Sequence, residues 1–485
     1  MRIWRVIIMK VIKNYLYNAS YQIFVLLVPL ITTPYLARVL GPHGVGINAY
    51  TNSIIQYFII FGSIGVAMYG NRQTAYVRDN KQKLTNTFYE IFLMRIITIA
   101  LAFVAFFIFL LFVRKDWLGY YLAQSFALLA AAFDISWFFQ GVEDFAVTVV
   151  RNLVVKIVTL VSIFTMVKSY NDLALYILIL ALSLLIGNLT LFPSLKRFIG
   201  KPQWHHLKLF KHFLPSLVLF VPEIATQIYL QVNKTMLGYM TTVNASGFFE
   251  QSDKIVKMSL AVVTATGLVM LPHVSNAYKN GQIDKVKSYL YTSFEFVTAI
   301  AVPLMFGIAA IAPALVPLFL GPKFMPVIPL MMIEAVVVLL IGWSNAIGLQ
   351  YLVPTNQNKA FNYSVILGAI VNIIANVPLI LMWGAVGTAL ATVISEITVT
   401  GYQMYAIRNQ INMKKLFVSY WKYLLAGFLM FVIVFRLGSV LKDSWLMILI
   451  EIITGMISYL VFILLLRPNL IKVTLLKLKN RNNKD

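Results

Sequence analysis

Residues 173–192 read LALYILILALSLLIGNLTLF, a run without one charged side chain. An α-helix rises 1.5 Å per residue, so about 20 residues cover the roughly 30 Å of hydrocarbon in a bilayer. A helix apolar on every face has no polar side to turn to water and must be buried in lipid or protein. Working outward, comparable stretches begin upstream near Tyr15, Ile47, Phe88, Leu118 and Phe145. Downstream they begin near Phe213, Gly247, Tyr289, Met325, Phe361 and Gly384, and a last pair near Phe417 and Trp445. The spans fall as six, six and two, which predicts an all-α polytopic membrane protein of about 14 transmembrane helices. Composition agrees. Of 485 residues, 60% are hydrophobic and 12% charged, against about 45–50% and roughly a quarter in soluble domains.

The charge is +23, a value that elsewhere would point to nucleic acid. Here Lys and Arg are scattered over short loops and are not gathered on one folded face, so no nucleic-acid partner is expected. With the N-terminus placed inside, the basic residues concentrate in the cytoplasmic segments, as the positive-inside rule requires, so both termini are expected in the cytoplasm and the bilayer is the first partner. The opening MRIWRVIIMKVIK sets Arg2, Arg5, Lys10 and Lys13 against Trp4, Ile7, Ile8, Val11 and Ile12, the pattern of a helix lying on the membrane surface. It passes straight into a full-length span, unlike a cleaved signal. The expected organisation is an interfacial helix (1–13), an N-terminal lobe of six spans (14–195), a cytoplasmic linker (196–211), a C-terminal lobe of six (212–408), two last spans (409–466) and a basic cytoplasmic tail (467–485). Outer loops such as GPHGVG (41–46), TTVNAS (241–246) and WGAVG (383–387) are short, so no domain is expected outside the membrane.

The chain has no Cys, which removes thiol nucleophiles, disulfides and thiolate metal sites. It has no Walker A loop, HExxH, G-x-S-x-G elbow or dinucleotide fingerprint, and His205-His206 is an isolated pair in a basic loop. No enzymatic apparatus, metal or cofactor is expected. Polar groups inside the spans are the informative residues, because each costs about 2.5–3.5 kcal/mol to insert if ionisable and so faces a bundle interior or a wet cavity. Glu223, Gln227, Gln231 and Lys234 fall within about 80° on the seventh span, and Glu250, Asp253, Lys254 and Lys257 cluster the same way on the eighth, with Thr264 extending that face. Asn14 and Asn18, Asn48, Asn52 and Gln56, and Asn372 and Asn376 repeat at i,i+4 on the first, second and eleventh spans. These stripes imply a hydrophilic cavity lined by amides suited to a polyhydroxyl ligand. The competing reading is structural: Glu250–Lys254 and Asp253–Lys257 as mutually neutralising i,i+4 pairs, and the amides as helix-to-helix bonds of about 0.6 kcal/mol each.

NYLYNASYQIFVLLVPLITTPYLARVLGPHGVG (14–46), GNRQTAYVRDNKQKL (70–84), QGVEDFAVTVVRN (140–152), NKTMLG (233–238), FFEQSDKIVK (248–257) and SNAIGLQYLVPT (344–355) together resemble the bacterial oligosaccharide flippases (Wzx type) of the polysaccharide transporter family, within the multidrug/oligosaccharidyl-lipid/polysaccharide exporter superfamily. The chain departs from the usual pattern at Asn233, at His273 and at Ala146, where Asp, Arg and Lys are common. The resemblance implies two six-helix lobes around a central cavity plus two C-terminal helices. It implies as cargo an oligosaccharide repeat unit on undecaprenyl diphosphate, carried from the cytoplasmic to the outer leaflet for capsule or exopolysaccharide, in the bacterial cell membrane. A polysaccharide polymerase and a chain-length regulator are candidate partners. For the diphosphate the expected cations are Lys234, Lys254, Lys257 and Arg151; Asn14, Asn18, Asn48, Asn52, Gln56, Gln227, Gln231, Asn372 and Asn376 would meet sugar, and Glu223, Glu250 or Asp253 could carry a coupling ion. The alternative is a multidrug or organic-cation antiporter of the same superfamily, whose cavity would be net acidic.

Overall fold

The structure is a computed structural model that describes the backbone of residues 2–440 and 444–472, and side chains from Val28 onward except at positions 206, 221–223, 225, 226, 265, 266, 268 and 269. Among these residues, ten stretches are long and apolar enough to cross a membrane. Two of them hold more than one crossing. The helix Arg2–Ser63 is broken at Gly41 (φ 66°, ψ 178°), and Asn358–Ile407 is broken at Gly384 (φ 55°, ψ −127°). We therefore number span 1 (2–40), span 2 (42–63), span 3 (Lys81–Leu110), span 4 (Lys115–Ala132), span 5 (Phe145–Met166) and span 6 (Leu173–Leu189). Then follow span 7 (Phe213–Met240), span 8 (Val243–Lys279), span 9 (Ile283–Phe319), span 10 (Val327–Ile347), span 11 (358–383), span 12 (385–407), span 13 (Tyr420–Val440) and span 14 (Trp445–Leu466). Spans 7 and 8 are long helices that are not among the ten apolar stretches, and the fourteen helices follow the order of the stretches read from the sequence. The side chains of the opening amphipathic segment, and the tail past residue 472, lie outside the described residues.

Local chemistry sets the ends of these helices. Asn80, Thr242 and Ser444 each accept a bond from the backbone N–H three residues on, opening spans 3, 8 and 14, which satisfies one of the donors a helix start leaves bare. The break at Gly384 has a second requirement at Gly387, where a Cβ would lie 1.9 Å from the Leu379 carbonyl oxygen. Spans 11 and 12 thus turn back on each other through WGAVG because only glycine permits the reversed backbone and the close approach. Gly387→Ala is expected to lower the thermal unfolding midpoint of the purified protein by the equivalent of about 1–3 kcal/mol, the cost of overpacking. An unchanged midpoint would contradict this account of the turn.

The chain divides into two compact units, Met1–Thr235 and Met236–Asp485. In the first, span 4 packs along span 6 and span 5 along span 6. A buried aromatic cluster lies where the short helices Val66–Val77 and Ser136–Gly141 meet, with Phe88, Trp137, Phe138 and Phe139 fully buried among Leu84, Ile91 and Leu195. Two of the sequence motifs interlock there: Gly70 sits under the Trp137 ring, Gly141 against Thr74, and Arg78 bridges Glu143 at 2.5 Å. In the second unit, span 9 packs on spans 10, 13 and 14, and span 10 on span 8.

The connection between spans 6 and 7 is fastened to span 3. The buried Glu90 accepts the Lys208 backbone N–H at 2.8 Å, pairs with Lys211 Nζ at 2.6 Å and meets His212 Nε2 at 2.8 Å, while the Tyr69 hydroxyl lies 2.7 Å from His212 Nδ1. Burial holds the His212 imidazole below the usual histidine range, against the opposing pull of Glu90. Its contribution to stability is therefore complete above the unfolded value of about 6.5 and is lost as pH falls through the depressed value. The unfolding midpoint is expected to fall on acidification from about pH 7.5 to about 5.5, and His212→Gln to flatten that dependence. An equal slope in wild type and variant would refute it.

Candidate functional site

Within the first unit, span 2 and the seventh span up to Thr235 are joined by hydroxyls. Thr235 Oγ1 lies 2.8 Å from Ser53 Oγ and 3.1 Å from the Tyr57 hydroxyl. The predicted polar rows are carried by the same two helices. Asn48, Asn52 and Gln56 are half-buried along span 2, with Gln56 Nε2 donating to Asn52 Oδ1 at 3.4 Å, whereas Ile47, Thr51 and Ile55 on the flanking face are buried. On span 7, Gln227 and Gln231 are half-buried, and Lys234 is 8% exposed beside the buried Asn233. The Oε1 of Gln231 is buried without a hydrogen-bond partner among the described residues. A buried acceptor left bare is costly unless something fills it in another state. Hydroxyls, amides and a buried ammonium thus occur together on span 2 and on the seventh span up to Thr235.

The second unit holds a different chemistry. Lys257 Nζ lies 2.8 Å from Asp253 Oδ1 and 2.9 Å from Oδ2, so the i,i+4 pairing that competes with a substrate role for Lys257 is the arrangement adopted. Glu250 and Lys254 are half-buried on the same helix. Facing them from span 10 is Glu334, 2% exposed and bonded by the Ser252 hydroxyl, within electrostatic reach of Asp253 and Lys257. Its Oε1 has no hydrogen-bond partner among the described residues. Asn372 and Asn376 are completely buried, and Asn376 Nδ2 donates to the Asn372 side chain and carbonyl, each at 3.0 Å. In this conformation they bond one another within span 11, and neither side chain is exposed.

Arg151 lies on span 5, where Nη1 donates to Asn188 Oδ1 of span 6 at 3.3 Å; it lines a groove whose walls include neither Lys234 nor the span 2 amides. The side chains of Asn14, Asn18 and Glu223 lie outside the described residues. Sequence reasoning passed over three groups that the structure brings forward. Glu334 stands alone in VIPLMMIEAVVVLLIGW and Arg95 in FLMRIITIA, and a single ionisable residue inside an apolar run is itself a signal. Arg95, 4% exposed, reaches the Asp134 carbonyl at 3.1 Å and its carboxylate at 3.6 Å. The motif SNAIGLQYLVPT carries a π-helical turn at Gly348–Leu352, where Gln350 bonds Ser293 and donates to Asn345 at 3.2 Å. Such turns recur at functional positions, and no periodicity announces them.

With this geometry in hand, comparison with known proteins is decisive for the family: the model described as "Polysaccharide biosynthesis protein" matches residues 11–278. The chain belongs to that polysaccharide biosynthesis protein family. The matched region runs from span 1 to the end of span 8, and so contains both polar rows of the first unit and the Glu250–Lys257 cluster. Beyond the family match, the chain is similar to the "Putative O-antigen transporter" of Escherichia coli (strain K12), 22% identical over 404 residues that cover 82% of this chain and 96% of that protein. It is also similar to the "Probable low-salt glycan biosynthesis flippase Agl15" of Haloferax volcanii, 22% identical over 51% of this chain and 52% of that protein. Among solved structures it shares the fold of "Lipid II flippase MurJ, inward closed conformation", with TM-score 0.73 and 15% identity, covering 92% of this chain and 98% of that one. The chain therefore combines membership of the polysaccharide biosynthesis protein family with the fold of that structure.

Proposed function

We propose that this protein is a flippase that moves an undecaprenyl-diphosphate-linked oligosaccharide from the cytoplasmic to the outer leaflet of a bacterial cell membrane, for capsule or exopolysaccharide synthesis. It is a transporter in this reading and not an enzyme, with both termini in the cytoplasm. The observation that carries it is the buried Lys234 at the end of the Gln227–Gln231 row, next in the chain to Thr235, whose hydroxyl meets Ser53 and Tyr57 of the amide-bearing span 2. A buried ammonium matches a diphosphate, and amides match sugar hydroxyls. Family membership and the two flippase- or transporter-named relatives support the same class of cargo.

Outward movement is helped by the membrane itself. Each charge moved through 100 mV is worth about 2.3 kcal/mol, so a dianion gains about twice that from an inside-negative potential. For ion coupling, Glu334 is a stronger candidate than Asp253, which already holds Lys257. The test is equilibrium binding to the purified protein in detergent. Saturable binding of undecaprenyl-diphosphate oligosaccharide, weaker for the sugar-free carrier lipid, is the expected result. Binding of organic cations with no binding of the lipid-linked sugar would overturn the proposal and favour an antiporter.

A further inference from the structure

Spans 5 and 6 of the first unit enclose a groove of about 600 Å³. One wall is Val150, Val154 and Val158, the other Ile186; all four are more than half exposed, an apolar surface of the kind a lipid chain covers. The two charged residues of the lining lie towards one end, away from Ser183. Spans 5 and 6 run antiparallel through the turn at Ser169–Asp172, so the start of span 5 and the end of span 6 lie on the same membrane side. Arg151 sits about 9 Å inside that side, at 1.5 Å per residue from Phe145, and Arg197 follows just beyond the end of span 6, with Thr190 and Ser194 between. Asn188, whose Nδ2 donates to the Ala130 carbonyl at 2.7 Å, fixes the Arg151 guanidinium through its Oδ1. Among the described residues no Asp or Glu lines the groove, and the nearby Glu143 is engaged by Arg78.

We infer that this groove is a binding site for one anionic phospholipid of the surrounding leaflet, its phosphate held by Arg151 and Arg197 and an acyl chain laid along the valine wall. The valine wall from position 147 to 158 is about 16 Å long at 1.5 Å per residue, about half of the roughly 30 Å hydrocarbon core, which matches a chain from a single leaflet. Paired guanidiniums match a phosphate diester in charge and donor geometry. The site is separate from the polar rows that carry the proposed function and does not depend on them.

Native mass spectrometry of the full chain released from nanodiscs of equal phosphatidylglycerol and phosphatidylcholine tests this. Expected is retention of one phosphatidylglycerol in preference to phosphatidylcholine by about 10-fold, the worth of a charge-assisted contact of about 1.4 kcal/mol, lost in Arg151→Ala/Arg197→Ala. Val154→Trp, which fills the groove and leaves both arginines, is expected to lose it as well, so a folding defect in the double variant leaves the test intact. Equal retention of both lipids, or retention unaffected by filling the groove, would overturn the inference. So would displacement of phosphatidylglycerol by inorganic phosphate or by equimolar undecaprenyl phosphate, which would assign the arginines to a soluble anion or to cargo.

Discussion

In liposomes, Lys234→Ala is expected to slow protein-dependent transfer of a lipid-linked oligosaccharide by about 10- to 100-fold, while Lys234→Arg keeps most of it. Hydrogen bonds to a charged partner contribute about 1.5–3 kcal/mol, and a low local dielectric strengthens them. Lys234 is buried at the end of the Gln227–Gln231 row, so a diphosphate drawn to it would leave water as it binds. The conservative variant separates charge from packing, since both side chains carry the cation and differ in shape. Equal transfer by wild type and Lys234→Ala would remove this residue from the site. A loss in both variants, with unchanged thermal stability, would mean that the ammonium's shape and not its charge alone is recognised.

The second large effect concerns Lys257. It is 37% exposed and its partner Asp253 19%, so the pair is half-buried and breaking it costs less than the 3–5 kcal/mol of a fully buried pair. Lys257→Met is expected to destabilise the purified protein by about 2 kcal/mol, because it leaves the Asp253 carboxylate beside the buried Glu334 without its countercharge. Adding Asp253→Asn is expected to recover most of that loss, a coupling of about 1–2 kcal/mol. Thermal unfolding of the four members of the cycle measures it. Additive losses would mean that Lys257 does not act as the partner of Asp253, and would return it to the cations expected to meet substrate.

These two lysines show how far the sequence was legible. Their place on polar faces of spans 7 and 8 followed from helical periodicity, as did the fourteen spans, because a bilayer demands runs of about 20 apolar residues and tolerates few exceptions. What periodicity could not settle was the partner. Asp253–Lys257 and Asn372–Asn376 have the same i,i+4 spacing as Asn52–Gln56, yet Asn372 and Asn376 are completely buried and Asn52 and Gln56 half-buried. The difference lies in which helix packs over each face, a tertiary property. Glu334 and Arg95 were visible as lone charges in apolar runs, but their partners, Ser252 and Asp134, come from positions 82 and 39 residues away. The fastening of the loop after span 6 through Glu90 and His212 is likewise non-local, and His212 read alone looks like an ordinary loop histidine.

The most direct test of the central claim is transfer across a bilayer. Purified protein is reconstituted into liposomes carrying an undecaprenyl-diphosphate oligosaccharide on one leaflet, and the appearance of the sugar on the other leaflet is followed with a membrane-impermeant lectin. The account predicts transfer that requires the protein, exceeds that of protein-free liposomes and falls in Lys234→Ala. Transfer no faster than in protein-free liposomes, from protein that is folded and inserted, would contradict it.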